Sequence, residues 1–370
     1  MKFVIARQDL GHLIRKIQNI VPQTPPLPIL SHFLIEARDN ELVFTATDLT
    51  IGICCSTPAK ILEPGSLAVP AKRFFPLIRE LTEPNVEIIA EEEGMIEINA
   101  GSSHFRLHGM NSSTFPTLPN LKEALSFSLK SDDLKEMLFR TSFAASKEDN
   151  RQVLTGVAMR VGGGKATFIG TDGKRLAQAQ VDIHTASDFS GEYVLPAKAV
   201  DEMMKMLSEG EKVTAYLTHD KVAIVVGNTL FVTKLLSGDY PDCSQVLSSA
   251  VDFKVTLHRE ELSTLLRQMA LFTTEETHSV RFSFHPGELF LMVNSANVGE
   301  GRVSMPVDYS GNVFEVAFNP HAFLDVLRHT KDETLTIGLS DPYNPGIITD
   351  STSSVFILMP MRLNSEVGVT

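Results

Sequence analysis

The sequence predicts an α+β protein of three tandem, similar domains, each with two helices packed on antiparallel sheets. Two observations predict it. The first is an amphipathic helix pattern at Leu10, Leu13, Ile14 and Ile17 that recurs at Leu134, Met137, Leu138 and Thr141, and again at Leu262, Leu265, Leu266 and Met269. A second helix pattern does the same at Phe74, Leu77, Ile78 and Leu81, at Val200, Met203, Met204 and Leu207, and at Phe323, Val326, Leu327 and Thr330. Spacing of this kind lays side chains along one stripe of a helix. Copies lie about 124 residues apart, the size of a whole domain and far longer than the ~20–50 residues of a solenoid repeat. The second observation is the run of short alternating segments between the helices, separated by turn residues, which marks antiparallel strands.

The first copy shows the order. A helix is expected over 9–21, then a Pro-rich turn over 22–28, then strands over 33–37, 41–47 and 51–58. Pro70 opens the second helix, where a missing N–H is tolerated. Strands follow over 86–90, 95–100 and 104–109, and the order repeats from Phe127 and from Val251. Polar stretches over 116–124 and 245–250 read as short linkers. The domains are therefore expected at 1–119, 127–247 and 251–363, with a tail over 364–370.

With 370 residues and 43% apolar content, the chain has length for three cores. Its apolar opening, 3–6, is cut by Arg7, Gln8 and Asp9, which is too short for a signal peptide. No apolar run approaches the ~20 residues of a spanning helix. A cytoplasmic protein without membrane contact is expected. Cys54 and Cys55 are adjacent and would point to opposite faces of a strand, and Cys243 is distant, so neither a disulfide nor a metal site is expected. The net charge of −12 speaks against nucleic acid, but distribution counts for more than the sum. The expected solvent faces of the six helices carry Arg15, Lys16, Lys72, Arg73, Arg79, Lys135, Arg140, Lys198, Lys205, Arg267 and Arg328. Acid gathers at Glu91, Glu92 and Glu93 ahead of Gly94, although Glu80, Asp201, Glu202 and Asp325 also fall on helices.

Fragments that suggest catalysis have simpler readings. Gly162-Gly163-Gly164-Lys165 lacks the spacing of a phosphate loop and sits between two strand patterns, so it reads as a hairpin turn. His104 and His108 lie in a strand pattern rather than on a helix. There is no Gly-x-Ser-x-Gly elbow, no Cys/His metal spacing and no clustered carboxylate pair. No catalytic residue, metal or cofactor is expected, and the chain reads as a scaffold. A hydrolase built from the three copies would need converging ionisable groups. An adhesin-like scaffold with no DNA role would spread its basic residues evenly.

Two stretches are more specific: Thr171-Asp172-Gly173-Lys174-Arg175-Leu176-Ala177, and the sulfur-rich Met359-Pro360-Met361-Arg362-Leu363. Met-rich surfaces re-pack around varied partners. With Met1-Lys2-Phe3, Leu27-Pro28-Ile29-Leu30, Thr47-Asp48-Leu49, Val69-Pro70-Ala71 and Tyr240-Pro241, they make the chain resemble the bacterial sliding clamps, the beta subunits of DNA polymerase III, from residue 1 to 363. The resemblance implies the DNA clamp fold and a non-catalytic processivity subunit, a homodimer closed head to tail into a six-domain ring. Twelve helices would line the hole. At roughly 10 Å between axes they give a circumference of about 120 Å, room for duplex DNA and water.

Further residue roles come from the same resemblance. The helix-borne cations above, with Arg151 and Gln152, would meet phosphates without reading sequence. Phe105 and Leu107 would meet Leu271 and Phe272 of the other chain. Short peptides of the replicative polymerase, clamp loader and repair factors would dock between the second and third domains. Their site would comprise Leu154, Thr171, Gly173, Lys174, Arg175, Leu176, Pro241, Val246, Ile357, Met359, Pro360, Met361 and Arg362. The chain departs from the family pattern at Thr24, where an arginine is usual, and at Gln152 and Val153, where a tyrosine pair is usual. Aromatic stacking on single-stranded DNA is thus lost there. Ser102 and His104 replace basic residues, so a dimer contact leaning on apolar packing, with weak salt dependence, is expected.

Overall fold

The computed structural model describes all residues except 92–93, 122, 186–188, 275–277, 296 and 363–370. The readings at Glu92, Glu93, Leu363 and the tail lie outside the described residues.

The first copy opens with β1 (Lys2–Ala6), α1 (Arg7–Ile17), β2 (His32–Arg38), β3 (Glu41–Thr47) and β4 (Ile51–Pro58). It continues with β5 (Lys60–Glu63), β6 (Gly65–Pro70), α2 (Ala71–Glu80), β7 (Asn85–Ala90), β8 (Met95–Ala100) and β9 (Ser103–His108). The second copy runs through β10 (Leu125–Lys130), α3 (Ser131–Ser142), β11 (Gly156–Gly162), β12 (Lys165–Thr171) and β13 (Arg175–Asp182). Its later half is β14 (His184–Thr185), β15 (Gly191–Pro196), α4 (Ala197–Met206), β16 (Lys212–Leu217), β17 (Lys221–Val226) and β18 (Thr229–Lys234). A single helical turn, α5 (Ser244–Leu247), occupies the second expected linker. The third copy holds β19 (Phe253–His258), α6 (Arg259–Ala270), β20 (Val280–His285), β21 (Glu288–Ser295) and β22 (Gly299–Pro306). It ends with β23 (Phe314–Phe318), α7 (Pro320–His329), β24 (Thr334–Leu339), β25 (Gly346–Thr349) and β26 (Val355–Leu358).

The longer helices form on apolar stripes, and some also carry a start signal. Leu10, Leu13, Ile14 and Ile17 are all buried on α1. Asn319 caps α7 by accepting from the N–H groups of His321 and Ala322, and Pro320 takes the first helical position. The α1 pattern overruns on sequence because Ile20 is also buried, but the backbone has already tightened, with the Ile20 N–H on the Ile17 carbonyl. Pro70 proves to be the last residue of β6 and the cap of α2. Strands β5 and β6 are not marked by the sequence, since both are short and neither shows a clean alternation. The glycine run is a hairpin turn joining β11 to β12, with φ of +58° at Gly163 and +73° at Gly164, the backbone that favours glycine in two-residue hairpins.

Contacts divide the chain into two compact units. One holds 1–135, 183–185 and 198–235, and the other holds 136–182, 189–197 and the described residues from 236 onward. The first contains a nine-stranded sheet, β14-β10-β16-β17-β18-β4-β3-β2-β6, and a five-stranded sheet, β5-β1-β7-β8-β9. The second contains an eight-stranded sheet, β15-β11-β12-β13-β26-β25-β24-β19, and a four-stranded sheet, β22-β21-β20-β23. Each larger sheet crosses from one copy to the next. In the first, β4 pairs antiparallel with β18, setting Ile53 opposite Phe231. In the second, β13 pairs antiparallel with β26, setting Leu176 opposite Ile357. Aromatic cores anchor both units: Phe33 meets Phe44, Phe74 and Phe75, and Phe282 meets Phe318 and Phe323.

The placement of Arg140 on a solvent face is corrected. Only 3% exposed, it bonds Glu136 on its own helix and Asp350, Thr352 and Ser354 in the loop between β25 and β26, at 2.9–3.1 Å. It borders the apolar stripe of α3, and the third copy's loop closes over it. Burial pushes the Asp350 carboxyl up, but hydrogen bonds from Thr352, from backbone N–H groups and from Arg140 outweigh this and hold it below the usual range. Replacing Arg140 with Met leaves that carboxylate buried without its cation, and urea unfolding should register a loss of about 3–5 kcal/mol. Because the native carboxyl is depressed, its contribution is full above about pH 4 and fades below.

Candidate functional site

The second seam builds a hydrogen-bonded turn. After β12, the Thr171 hydroxyl donates to the Arg175 carbonyl at 2.6 Å and accepts the Gly173 N–H at 3.1 Å. One Asp172 oxygen accepts the N–H groups of Lys174 and Arg175, both at 2.9 Å. Short polar side chains of this kind substitute for backbone partners in turns. Gly173 has φ +83°. The turn is tied to the third copy where the Met359 N–H meets the Lys174 carbonyl at 2.9 Å.

Beneath the turn lies a cluster of Val153, Leu154, Leu176, Tyr240, Cys243 and Ile357, with Val246 and Leu247 packed against it. Of the sequence-derived docking residues, Leu154, Leu176 and Ile357 are thus buried floor, and Thr171 is buried in the turn itself. Gly173, Lys174, Met359 and Arg362 form exposed surface, and Pro241, Val246, Pro360 and Met361 are half-buried. Met359 is 41% exposed, an apolar side chain left available beside the turn. Met361 is anchored by its N–H to Ala317 at the end of β23. Arg175 braces the site: it pairs with Asp172 at 3.1 Å and Asp325 at 2.7 Å and lies over the Phe143 ring.

Three supporting residues escaped the sequence reading. Asp325, noted only as a helix acid, receives Arg175 and also Arg328. His329 stacks on Phe143 with centroids 4.1 Å apart and donates Nδ1–H to the Asp325 carbonyl at 2.6 Å. Tyr240 sits in a noted motif, and its buried hydroxyl donates to the Ile169 carbonyl at 3.2 Å. Burial pushes that phenol up. No local signal marks Phe143 and His329 as neighbours, because their contact joins α7 to the end of α3.

The basic residues divide by environment. Lys72, Arg73, Lys135 and Arg267 are exposed, with no ion pair among the described residues. Arg15, Arg79, Gln152, Lys198, Lys205, Arg151 and Arg328 are also exposed. Of these, Lys198 pairs with Asp48, Lys205 with Glu202, Arg151 with Asp149 and Arg328 with Asp325, and Arg79 bonds Gln18. Lys16 is half-buried and donates to Thr229 at 2.9 Å. Exposed pairs of this kind are weak and leave the cations open to another anion.

The remaining sequence candidates lie on the edge strand β9 and just past α6, in the copy that holds the edge strand β22. β9 pairs only with β8, and β22 only with β21, among the described residues. Phe105 on β9 is 38% exposed, and Leu271, just past α6, is 77% exposed. Leu107 and Phe272 are half-buried.

Ser283 contacts His285 and Glu315, both at 3.0 Å, but the hydroxyl is shared by the two, so the acid does not orient the imidazole as a hydrolytic relay requires. Burial pushes the Cys55 thiol up to about 12 and raises Cys54 and Cys243 as well. Among the described residues, no group of three His, Cys, Asp or Glu is placed to hold a metal.

Three family models match the chain in order: the N-terminal domain of the DNA polymerase III beta subunit over 1–119, its central domain over 128–242 and its C-terminal domain over 244–362. The chain belongs to the DNA polymerase III beta subunit family. It is 55% identical to a beta sliding clamp of Chlamydia pneumoniae over 366 residues, covering 99% of this chain and 100% of that protein. It is 29% identical to the beta sliding clamp of Pseudomonas aeruginosa over 367 residues, covering 98% and 100%. Its fold matches the crystal structure of the DNA polymerase III subunit beta from Pseudomonas aeruginosa with a TM-score of 0.94 at 28% identity. It matches a sliding clamp from Bacillus subtilis with a TM-score of 0.94 at 26% identity. Both alignments cover 98% of this chain and 100% of the other. The α+β class, in three clamp domains, is that of the family. No helix among the described residues is long and apolar enough to cross a membrane.

Two measurements probe the turn and its brace. In Gly173→Ala the new Cβ would meet nothing closer than Arg151 at 3.9 Å, so the cost is conformational, and urea unfolding should show a loss of about 1–2 kcal/mol. Burial lowers the His329 pKa, against the opposing pull of the Asp325 carbonyl and carboxylate. The unfolded chain therefore takes up the proton first, and stability should decline as pH falls below about 6.5. His329→Phe keeps a ring on Phe143 but cannot titrate, and should flatten that part of the urea-midpoint profile.

Proposed function

We infer that the chain works as a DNA sliding clamp conferring processivity on a replicative DNA polymerase, and that two copies close head to tail into a ring around duplex DNA. One observation carries the ring: the series of sheet edges. The last strand of each copy's first half is β4, β13 or β22, and the last strand of each second half is β9, β18 or β26. β4 pairs with β18 and β13 with β26, which leaves β22 and β9 as the unused members of the same series. Pairing β22 of one chain with β9 of another would make a further nine-stranded sheet, and doing so twice gives a heterologous contact that closes. Phe105, Leu107, Leu271 and Phe272 would supply its apolar packing. Arg106 on β9 is already engaged by Glu97 on β8 and by Glu91 just past β7, consistent with a weak salt dependence.

The clamp itself would perform no covalent chemistry. Encirclement tethers the polymerase and raises its local concentration at the primer end. Arg15, Lys16, Lys72, Arg73, Arg79, Lys135, Arg151, Gln152, Lys198, Lys205, Arg267 and Arg328 are the proposed phosphate contacts, sequence-blind by their chemistry. Arg140 is withdrawn from that set. Polymerase, clamp loader and repair factors would dock short peptides on the turn at 171–176 and on Met359, where an exposed apolar side chain lies beside Lys174 and Arg362. The three domains, at 1–119, 127–247 and 251–363, would work in the cytoplasm.

The test is retention on circular duplex DNA after loading, followed by linearisation. Release on cutting is the expected result, and equal retention on circle and line would reduce the binding to plain electrostatics. Leu271→Asp should convert the dimer to monomer in sedimentation, with loss of retention on the circle.

A further inference from the structure

The first seam repeats the hydrogen-bond frame of the second. After β3, the Thr47 hydroxyl donates to the Ile51 carbonyl at 2.8 Å and accepts the Leu49 N–H at 3.0 Å. One Asp48 oxygen accepts the N–H groups of Thr50 and Ile51 at 2.9 and 2.7 Å. The Lys234 N–H meets the Thr50 carbonyl at 2.8 Å, as Met359 meets Lys174. Every bond has its counterpart 124 or 125 residues on. The frame differs where Gly173 is replaced by Leu49, held at φ +74°. That backbone costs a non-glycine residue about 1–2 kcal/mol, yet it leaves the Leu49 side chain 39% exposed. A leucine held in a strained backbone yet left more than a third exposed points to a use at the surface.

Beside this frame is a cavity of about 240 Å³ whose lining includes Leu49, Ile51, Leu118, Val232, Lys221 and Lys234. Gly52 makes its floor possible, since a Cβ there would fall 2.5 Å from Leu118. The space is below the ~300 Å³ at which small-molecule sites begin and suits one or two side chains. Its polar wall is cationic. Lys234 is exposed and has no carboxylate partner among the described residues, and Lys221 is half-buried beside Asp220 at 2.8 Å. Asp48 is engaged by its two backbone N–H groups and by Lys198 at 2.6 Å, so it does not offset that charge.

We propose that the cleft at the first seam is a second docking site, for a linear acidic peptide that seats one hydrophobic side chain against Leu49, Leu118 and Val232 and a carboxylate on Lys234. The inference rests in part on the peptide-docking reading of the second seam, whose frame it duplicates, and the test separates the two. The probe is the acetylated peptide Asp-Leu-Asp-Leu-Leu, titrated into the full-length protein by calorimetry, with Lys-Leu-Lys-Leu-Leu as the charge control. Two sites per chain are expected. Lys234→Glu and Leu49→Asp should each weaken one by at least about tenfold, and Met359→Asp should weaken the other. Aspartate tolerates positive φ and Lys234 is exposed, so both first-seam variants should keep the wild-type thermal transition. A single site lost only in Met359→Asp would overturn this inference and leave the second-seam reading standing. A single site lost only in Lys234→Glu and Leu49→Asp would support it while removing the second-seam reading. Equal binding of the lysine peptide, or no binding of the acidic one, would overturn it.

Discussion

Backbone pairing between sheet edges of successive copies is the interaction on which the rest of the structure depends. A half-sheet that ends in an open edge presents a row of unpaired N–H and C=O groups and invites other chains to add to it. Here the edge of one copy is the partner of the next: β4 with β18 and β13 with β26. The pairing satisfies both edges and produces sheets of nine and eight strands. It is non-local bonding, so the copies are mutually dependent even though each has its own helical stripes.

The surface turns follow from that pairing. A Thr-Asp turn alone would be a local device, held by side chains standing in for backbone partners. Across each seam the next copy's strand adds one more bond, from Met359 to Lys174 or from Lys234 to Thr50. The turn and the end of that strand thereby become a single surface. In the second seam this surface carries Met359 beside exposed Lys174 and Arg362, and Arg175, Asp325, Phe143 and His329 brace it from behind. In the first, the same frame carries lysines and an exposed leucine. One backbone design thus offers two different chemistries, set by a few side chains.

Charge follows a similar logic. The chain is acidic overall, yet cations are frequent on its helices, and what each can do depends on its cover. Lys72 and Arg267 stand open to solvent, whereas Arg140, also on a helix, has been drawn into a buried network because a loop of the third copy closes over it. A buried guanidinium with four partners serves cohesion and is lost to any external phosphate.

Much of this was legible in the sequence because it is local. Helical stripes obey a 3.6-residue period, so Leu10, Leu13, Ile14 and Ile17 could be assigned to the core before any contact was known. A two-residue turn with positive φ calls for glycine, so Gly163 and Gly164 marked a hairpin. The sequence by itself determined where the long helices and most of the strands fall, which faces seek burial, and that one design recurs three times, but it left β5 and β6 unmarked. It left open which edges meet, since every hairpin strand offers the same backbone donors and acceptors. Nor could it place Arg140, whose Asp350 partner lies 210 residues away, or seat His329 on Phe143. Those outcomes were decided by the tertiary structure alone, because they depend on which distant surfaces come together to exclude water, a property that no local period encodes.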